Sequence, residues 1–281
     1  MDERLRKLQL TQLEILDEID RVCRKNGIRY SLYAGTLLGA VRHRGFIPWD
    51  DDLDICMERS EYERFLKVWD EDHIQGYFLQ NKDNTPAFPQ SFTKIRKEHT
   101  TFIQDKSEFG AYHTGIFVDV FPIDRMPAGF IRRAFFIWNC LCYQLLCREF
   151  VPPKGSLFTK CIAGAVLLFS RKEGREAKRK RLLDKITSDC NILDNTVAIE
   201  TVNSVLMPLP AGLLDDYIFL PFEDKEYMCF GQWHEYLTRK YGDYLTLPPD
   251  AERIWKHHPI LIDFEYDYDE LQQQGTIDRF S

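Results

Sequence analysis

At 281 residues, 44% hydrophobic and 29% charged, the chain is long enough to bury a full core, which excludes a disordered or fibrous protein. Its net charge of -7 argues against nucleic acid as a partner. The eight cysteines form no CxxC pair and follow no secretory signal, so reduced thiols in a cytoplasmic setting are expected rather than a disulfide framework.

Residues 1–26 read as an amphipathic helix. Leu5, Leu8, Leu13, Leu16, Ile19 and Val22 recur at three-to-five spacing, and Gly27 follows as a stop. "IRYSLYA" (28–34) has the alternation of a strand, ending in a Gly35-Thr36 turn. "TLLGAVRH" is then a short helical turn, Pro48 breaks it, and "DLDICM" forms a second strand. Ser60 with Glu63 predicts a capping box opening a helix over "SEYERFLKVW". Strands are predicted at "YFLQ", "SFTKIR", "TTFIQ" and "GIFVDVFPI".

From residue 130 the character changes. "AFFIWNCLCYQLLC" (134–147) carries no charge, and "CIAGAVLLFS" (161–170) repeats the pattern. Neither reaches the roughly 20 apolar residues that span a bilayer. Arg132, Arg133, Arg148, Lys154, Lys160, Arg171 and Lys172 flank them, and "RKEGREAKRKR" (171–181) is strongly basic. Two readings stand: helices lying in a membrane interface, or a buried helical pair with a solvated basic face. Cys140, Cys142 and Cys147 act as small buried hydrophobes in either. Three parts result: a core over 1–129, a helical insert over 130–190, and a C-terminal part over 191–281 that packs back on the core. In the last part, "FGQWHEYLTRKYGD" (230–243) reads as a helix closed by Gly242.

"FIPWDDDLDICM" (46–57) places four aspartates in five positions. On a strand Asp52 and Asp54 share a face about 7 Å apart, which suits a hard divalent cation better than an acid/base pair. Asp50 and Asp51 are supporting candidates at the strand's mouth. A calcium loop counted from Asp50 fails, because Ile55 stands where glycine is needed and Pro48 leaves no entering helix. Upstream, Gly35 and Thr36 at a strand-to-helix junction form a phosphate seat, and Arg42 and His43 add donors. Asp119, in an apolar strand, is either the third acid of a metal site or an ion-paired structural residue. Asp124 reads as a cap or turn residue. Lys94 and Arg96, of matching parity, either hold substrate phosphates or face solvent. Seat plus metal is the apparatus of phosphoryl-group chemistry.

With these residues in view, "YSLYAGTLLGAVRHRGFIPWDDDLDI" resembles the signature of the LicD family, cholinephosphotransferases of the nucleotidyltransferase superfamily. "FTKIRKEHTTFI", "GIFVDVFPID" and "FGQWHEYLTRKYGDYLTLPP" are similar to its later blocks, in the same order. Fukutin-type transferases are more distant relatives. The resemblance implies an α+β fold, a nucleotidyltransferase-like mixed sheet flanked by helices with a helical insert. It implies Mg²⁺ or Mn²⁺ on Asp52, Asp54 and Asp119, and phosphates at Gly35 and Thr36 with Arg42, His43, Lys94 and Arg96. The donor would be CDP-choline or another CDP-alcohol, and the acceptor a sugar hydroxyl of a glycan or lipid-linked glycan, with CMP released. Such a protein would work in the cytoplasm, peripheral on the inner face of the plasma membrane through 130–181. A choline head needs an aromatic cage, for which Trp233, Tyr241, Tyr244 and Trp255 are candidates. The same core also suits transfer of a nucleotide from an NTP, and a non-catalytic phosphate-binding or membrane-scaffold protein is the reading from another class.

Overall fold

The computed structural model describes residues 2–151, 156–170, 174–188, 193–198 and 208–275. Helix α1 (Glu3–Asn26) is opened by the Asp2 carboxylate, which accepts from the Arg4 N–H, and closed by Gly27 at φ 60°. Its buried stripe includes Leu5, Leu8, Ile15, Leu16, Ile19 and Val22 and forms one wall of the main core.

Strand β1 (Ser31–Leu32) is shorter than the predicted 28–34. Ala34 takes φ 47°, which turns the chain out of the extended conformation and into α2 (Ala34–His43). Gly35 and Thr36 therefore lie within the first helical turn, not in a turn ahead of it. After Pro48 comes β2 (Asp54–Glu58), so Asp52 precedes the strand and only Asp54 stands on it.

Helix α3 (Arg59–Asp72) corrects the capping-box prediction. Its N-cap is Glu58, which makes no side-chain cap, and Ser60 sits a residue inside the helix. The start is set instead by Arg59, whose guanidinium grips Asp124 through two bonds of 2.7 and 2.6 Å. Asp124 is accordingly no cap or turn residue; it is fully buried within a strand.

Strands β3 (Tyr77–Gln80), β4 (Thr93–Lys97) and the long β6 (Phe117–Pro127) complete a sheet of order β1-β2-β6-β4-β3, while β5 (Thr101–Ile103) stands apart. β2 and β6 run parallel and β4 is antiparallel to β6, giving a mixed sheet. Its central strands read as near-continuous apolar runs, and Ile55, Val118, Val120 and Ile123 are fully buried. The far half of β6 pairs with β7 (Leu193–Ala198), and β7 with β8 (Leu209–Pro210).

The insert consists of α4 (Phe130–Arg148), α5 (Leu157–Leu168) and α6 (Arg175–Ser188). α4 packs on α6 and β6 around Met126, Phe136, Cys140 and Ile186. Cys140, Cys142 and Cys147 are buried as free thiols, and Cys161 is exposed. Lys154, Arg171 and Lys172 lie outside the described residues.

Beyond it, β9 (Tyr217–Phe222) and β10 (Lys225–Phe230) form a hairpin whose Phe222, Tyr227 and Phe230 join the same core as α1. Helix α7 (Trp233–Tyr241) adds Tyr236 and ends at Gly242, as the sequence predicts. β11 (Leu261–Asp263) pairs with β5, and α8 (Tyr268–Gln273) follows, opened by an Asp267–Glu270 capping box. The chain is thus an α+β fold, a mixed sheet flanked by helices.

Candidate active site

The acidic loop is held from beneath by α1. Gln9 and Gln12 are buried polar interruptions of its apolar stripe, and their Nε2 groups donate to the carbonyls of Asp50 (2.9 Å) and Asp51 (3.0 Å). From the other side Thr36 Oγ1 accepts from the Asp54 N–H at 2.8 Å, which fixes where β2 begins. Gly35 has a different duty. A Cβ there would stand 2.7 Å from Asp50 Oδ2, so glycine allows the N-terminus of α2 to approach that carboxylate. A helix N-terminus favours an anion. In the predicted phosphate seat, the anion nearest Gly35 is Asp50 itself.

Pairing across the sheet builds a second part of the site. Asp54 of β2 is in register with Asp119 of β6, Asp119 with Lys94 of β4, and Lys94 with Gln80 of β3. Neighbours in register share a face, so one row carries two carboxylates and an ammonium. Lys94 Nζ donates to Asp119 Oδ1 at 2.6 Å and lies 3.1 Å from the centre of the Phe117 ring. Asp119 thus pairs with a lysine, on the face that carries Asp54. Burial pushes the Asp119 carboxyl up, with Lys94 opposing, and burial pushes the Lys94 ammonium down, with Asp119 opposing.

A third part comes from the C-terminal loop. His257 donates its N–H to Asp51 Oδ2 at 2.9 Å, its Nδ1 lies 3.0 Å from Asp51 Oδ1, and its Nε2 lies 4.0 Å from Asp52 Oδ2. Burial disfavours charge on both partners, but their mutual attraction outweighs it: Asp51 is held below the usual carboxylate range and His257 above the usual imidazole value. Asp50 is the opposite case. Burial, then the charge of Asp52, pushes it up to about 7, and Lys256 at 3.8 Å only partly compensates. Its Oδ1 makes no hydrogen bond among the described residues.

The cations predicted to hold phosphates divide. Arg42 lines a cavity of about 640 Å³ beside the acidic loop, together with Trp49, Tyr241, Tyr244, Glu252 and Lys256. Its Nη1 donates to the Tyr244 carbonyl, and Nε to His43 Nε2 at 3.0 Å. Burial pushes the His43 imidazole down, as does the charge of Arg42. Arg96 is buried behind the row; Nε and Nη1 donate to Gln80 Oε1 and the Gly115 carbonyl, both at 2.6 Å. Those bonds bind β4 to its neighbours, so of the pair Lys94 makes the hydrogen bond to Asp119, while Arg96 acts on it through charge alone. Of the predicted cage residues, Tyr241 and Tyr244 line the cavity, while Trp233 and Trp255 are not among its walls.

The family described as "LicD/FKTN/FKRP, nucleotidyltransferase domain" matches residues 27–141, from β1 past Asp119 into α4. Over 265 residues, 90% of this chain and 96% of the relative, the sequence is 29% identical to the lipopolysaccharide cholinephosphotransferase LicD of Haemophilus influenzae. Residues 27–141 thus match a LicD-type nucleotidyltransferase domain, and the likeness to LicD runs through most of the chain. Two uncharacterized proteins, of Rickettsia typhi and Rickettsia prowazekii, are 36% and 43% identical over 75 and 71 residues, about a quarter of this chain.

Among the described residues, two groups bring three possible ligand atoms within 4.8 Å of one another. They are Asp51, Asp52 and His257, and the more exposed His99, Asp267 and Glu270. The predicted trio of Asp52, Asp54 and Asp119 is not one of them, although Asp119 feels the charge of Asp52. His257 and Lys256 were not legible. They lie some 205 residues from the acids they meet and outside the LicD match, and "KHHP" has no spacing of its own to mark it.

Proposed function

We propose that this chain is a divalent-cation-dependent transferase that moves phosphocholine from CDP-choline to a sugar hydroxyl of a lipopolysaccharide-type glycan precursor, releasing CMP. The observation that carries the reading is the convergence of five carboxylates on one end of the sheet. Asp54 and Asp119 stand in register, and Asp50, Asp51 and Asp52 are held on the adjoining loop by Gln9, Gln12 and His257. Such a concentration of acids, with Asp50, Asp51 and Asp54 buried among them, is costly without a cation. The near full-length similarity to a cholinephosphotransferase gives the reading its chemistry.

The donor set fits Mg²⁺ or Mn²⁺: hard oxygens, with the buried Asp50 Oδ1 lacking a hydrogen-bond partner. A bound cation would neutralise the diphosphate and the departing CMP, held by Asp52, Asp54 and Asp119. The chain's own groups do the rest. Lys94 opposes the effect of burial on Asp119, holds its carboxylate in place, and adds positive charge where the non-bridging oxygens collect. Thr36 fixes Asp54 through its backbone, and Gly35 gives Asp50 room. The sugar oxygen attacks the phosphorus bearing choline, the bridging P–O bond to CMP breaks, and the hydroxyl proton leaves through the carboxylates. Trp49, Tyr241 and Tyr244 give the adjoining cavity aromatic faces, which suit a quaternary ammonium.

The test is CMP release from a panel of CDP-alcohols, with Mg²⁺ and with chelator. CDP-choline should be the best donor, and chelator should abolish turnover. Pyrophosphate release from an NTP, with no CMP from any CDP-alcohol, would establish nucleotidyl transfer instead.

A further inference from the structure

The insert differs from the rest of the chain in charge and in surface. Residues 130–188 hold thirteen Lys and Arg against four Asp and Glu, whereas the remainder holds 24 against 40. Within it α4 turns an apolar stripe outward. Ile131, Phe135 and Trp138 follow one helical face, 70%, 66% and 47% exposed, and Phe150 and Val151 are exposed past the helix end. α5 goes further: none of its residues with a described side chain is buried. Leu157, Cys161, Ala165 and Leu168 lie on one exposed face, and Leu168 and Phe169 are 79% and 82% exposed. Contiguous apolar surface of this kind marks an interaction site.

The rim of that face is basic. Lys178 donates to Ser170 Oγ at 2.7 Å, which brings the start of α6 beside Leu168 and Phe169. Lys178, Lys180, Arg181 and Lys185 of α6 and Arg132 of α4 are exposed, whereas Arg175 and Arg179 are turned to Glu149. An apolar stripe flanked by such cations matches an anionic lipid surface: acyl chains take the side chains and headgroups take the charges. A second copy would set one basic rim against another, which disfavours it. Among the described residues no helix is long and apolar enough to cross a membrane.

We propose that α4 and α5, with the basic face of α6, dock this protein on an anionic lipid bilayer, lying in the plane of the headgroups. The surface does not depend on which group is transferred. It also has a bearing on the site. Lys82, two residues beyond Gln80 of the catalytic row, pairs with Glu149 at 3.1 Å, so the end of α4 with Phe150 and Val151 is anchored beside the end of β3 that carries Gln80. If the proposed function holds, a lipid-linked acceptor would meet the carboxylates from that side.

The test is flotation of the purified full chain with vesicles of phosphatidylcholine alone and with about one-third phosphatidylglycerol, at low and high salt. Binding should require the anionic lipid and weaken with salt. Trp138→Glu with Leu168→Glu, and separately Lys180→Glu with Arg181→Glu, should each lower the bound fraction at least about tenfold, with an unchanged circular dichroism spectrum and melt. Turnover of soluble substrates should be untouched by either pair, which separates this proposal from the proposed chemistry. Absence of flotation of the parent, flotation of either variant equal to the parent's, or a dimer in light scattering that the Trp138→Glu, Leu168→Glu pair dissolves would overturn it.

Discussion

Strand β6 carries two aspartates five residues apart, on opposite faces of the sheet, and the two regions around them have opposite characters. Asp124 is fully buried, and Arg59 takes both of its oxygens with a planar fork. Asp119 is paired with Lys94, whose ammonium takes one oxygen, in a row with Asp54 and within the field of Asp52. A guanidinium saturates a carboxylate, whereas a lysine neutralises it as a point charge and leaves it able to serve another ligand. The same residue type on one strand is thus a clamp on one face and part of a site on the other. The partner's shape makes the difference.

The sharpest way to break the comparison is to neutralise one acid on each face. Asp54→Asn should lower turnover by about a thousandfold or more, roughly 4 kcal/mol, as expected when charge stabilisation of a transition state is lost. Its melting temperature should stay within a few degrees of the parent, since Thr36 holds the backbone N–H and not the carboxylate. Arg59→Met should do the reverse. It leaves Asp124 charged, buried and unpaired, at a cost of roughly 3–5 kcal/mol and a fall in melting temperature of about 6–15 °C. Turnover per folded molecule should be kept, and adding Asp124→Leu should recover much of the stability. Calorimetry and a CMP-release assay on the same preparations decide it. An Arg59→Met protein that melts normally but is inactive would reverse the assignment of the two faces.

How far each face was readable follows from the same physics. Local signals carried α1, the Gly27 stop, the end of α7 and the positions of β2 to β6, because apolar spacing and caps are encoded within a few residues. Asp54 and Asp119 were found because an acid alternating with apolar residues in a strand stands out. The Ser60 box failed since a buried Asp124–Arg59 pair from another strand set the start of α3. Asp124 itself was misread for that reason: a lone acid after Pro122 resembles a turn unless its partner is known. Asp50 and Asp51 were ranked below Asp52, yet they are more deeply buried, because Gln9, Gln12 and His257 reach them from distant parts of the chain. Arg96 shared the parity of Lys94 but spends its donors on Gln80 and the Gly115 carbonyl. Long-range pairings of this kind leave no periodicity.

A smaller effect is expected at the cavity wall. Tyr241→Ala should raise the KM for CDP-choline about fivefold to tenfold with little change in kcat, which is what loss of one aromatic face to a quaternary ammonium amounts to. A donor with a primary ammonium should lose less, so the ratio of the two KM values reads the cage rather than general damage. Equal losses for both donors would place the head group elsewhere.

The smallest effect concerns a third kind of pairing, in which the partner can discharge. Asp51 is held below the usual carboxylate range by His257, and His257 is held above the usual imidazole value by Asp51 and Asp52. The histidine's contribution to stability is complete below its unfolded value of about 6.5 and is lost as pH rises through its higher folded value. The aspartate's contribution is complete above its unfolded value of about 3.9 and is lost only as pH falls through its lower folded value. The pair therefore stabilises the fold most between about pH 4 and 6.5 and less above neutrality. His257→Gln keeps a donor but no titrating charge, so its urea midpoint, measured in chelator, should fall less between pH 6 and 9 than the parent's. The difference should stay under about 1 kcal/mol, because a third of the imidazole side chain is solvent-exposed and screened. If Arg59→Met flattened the profile as His257→Gln does, the pH dependence would belong to the fold as a whole and not to the acidic loop.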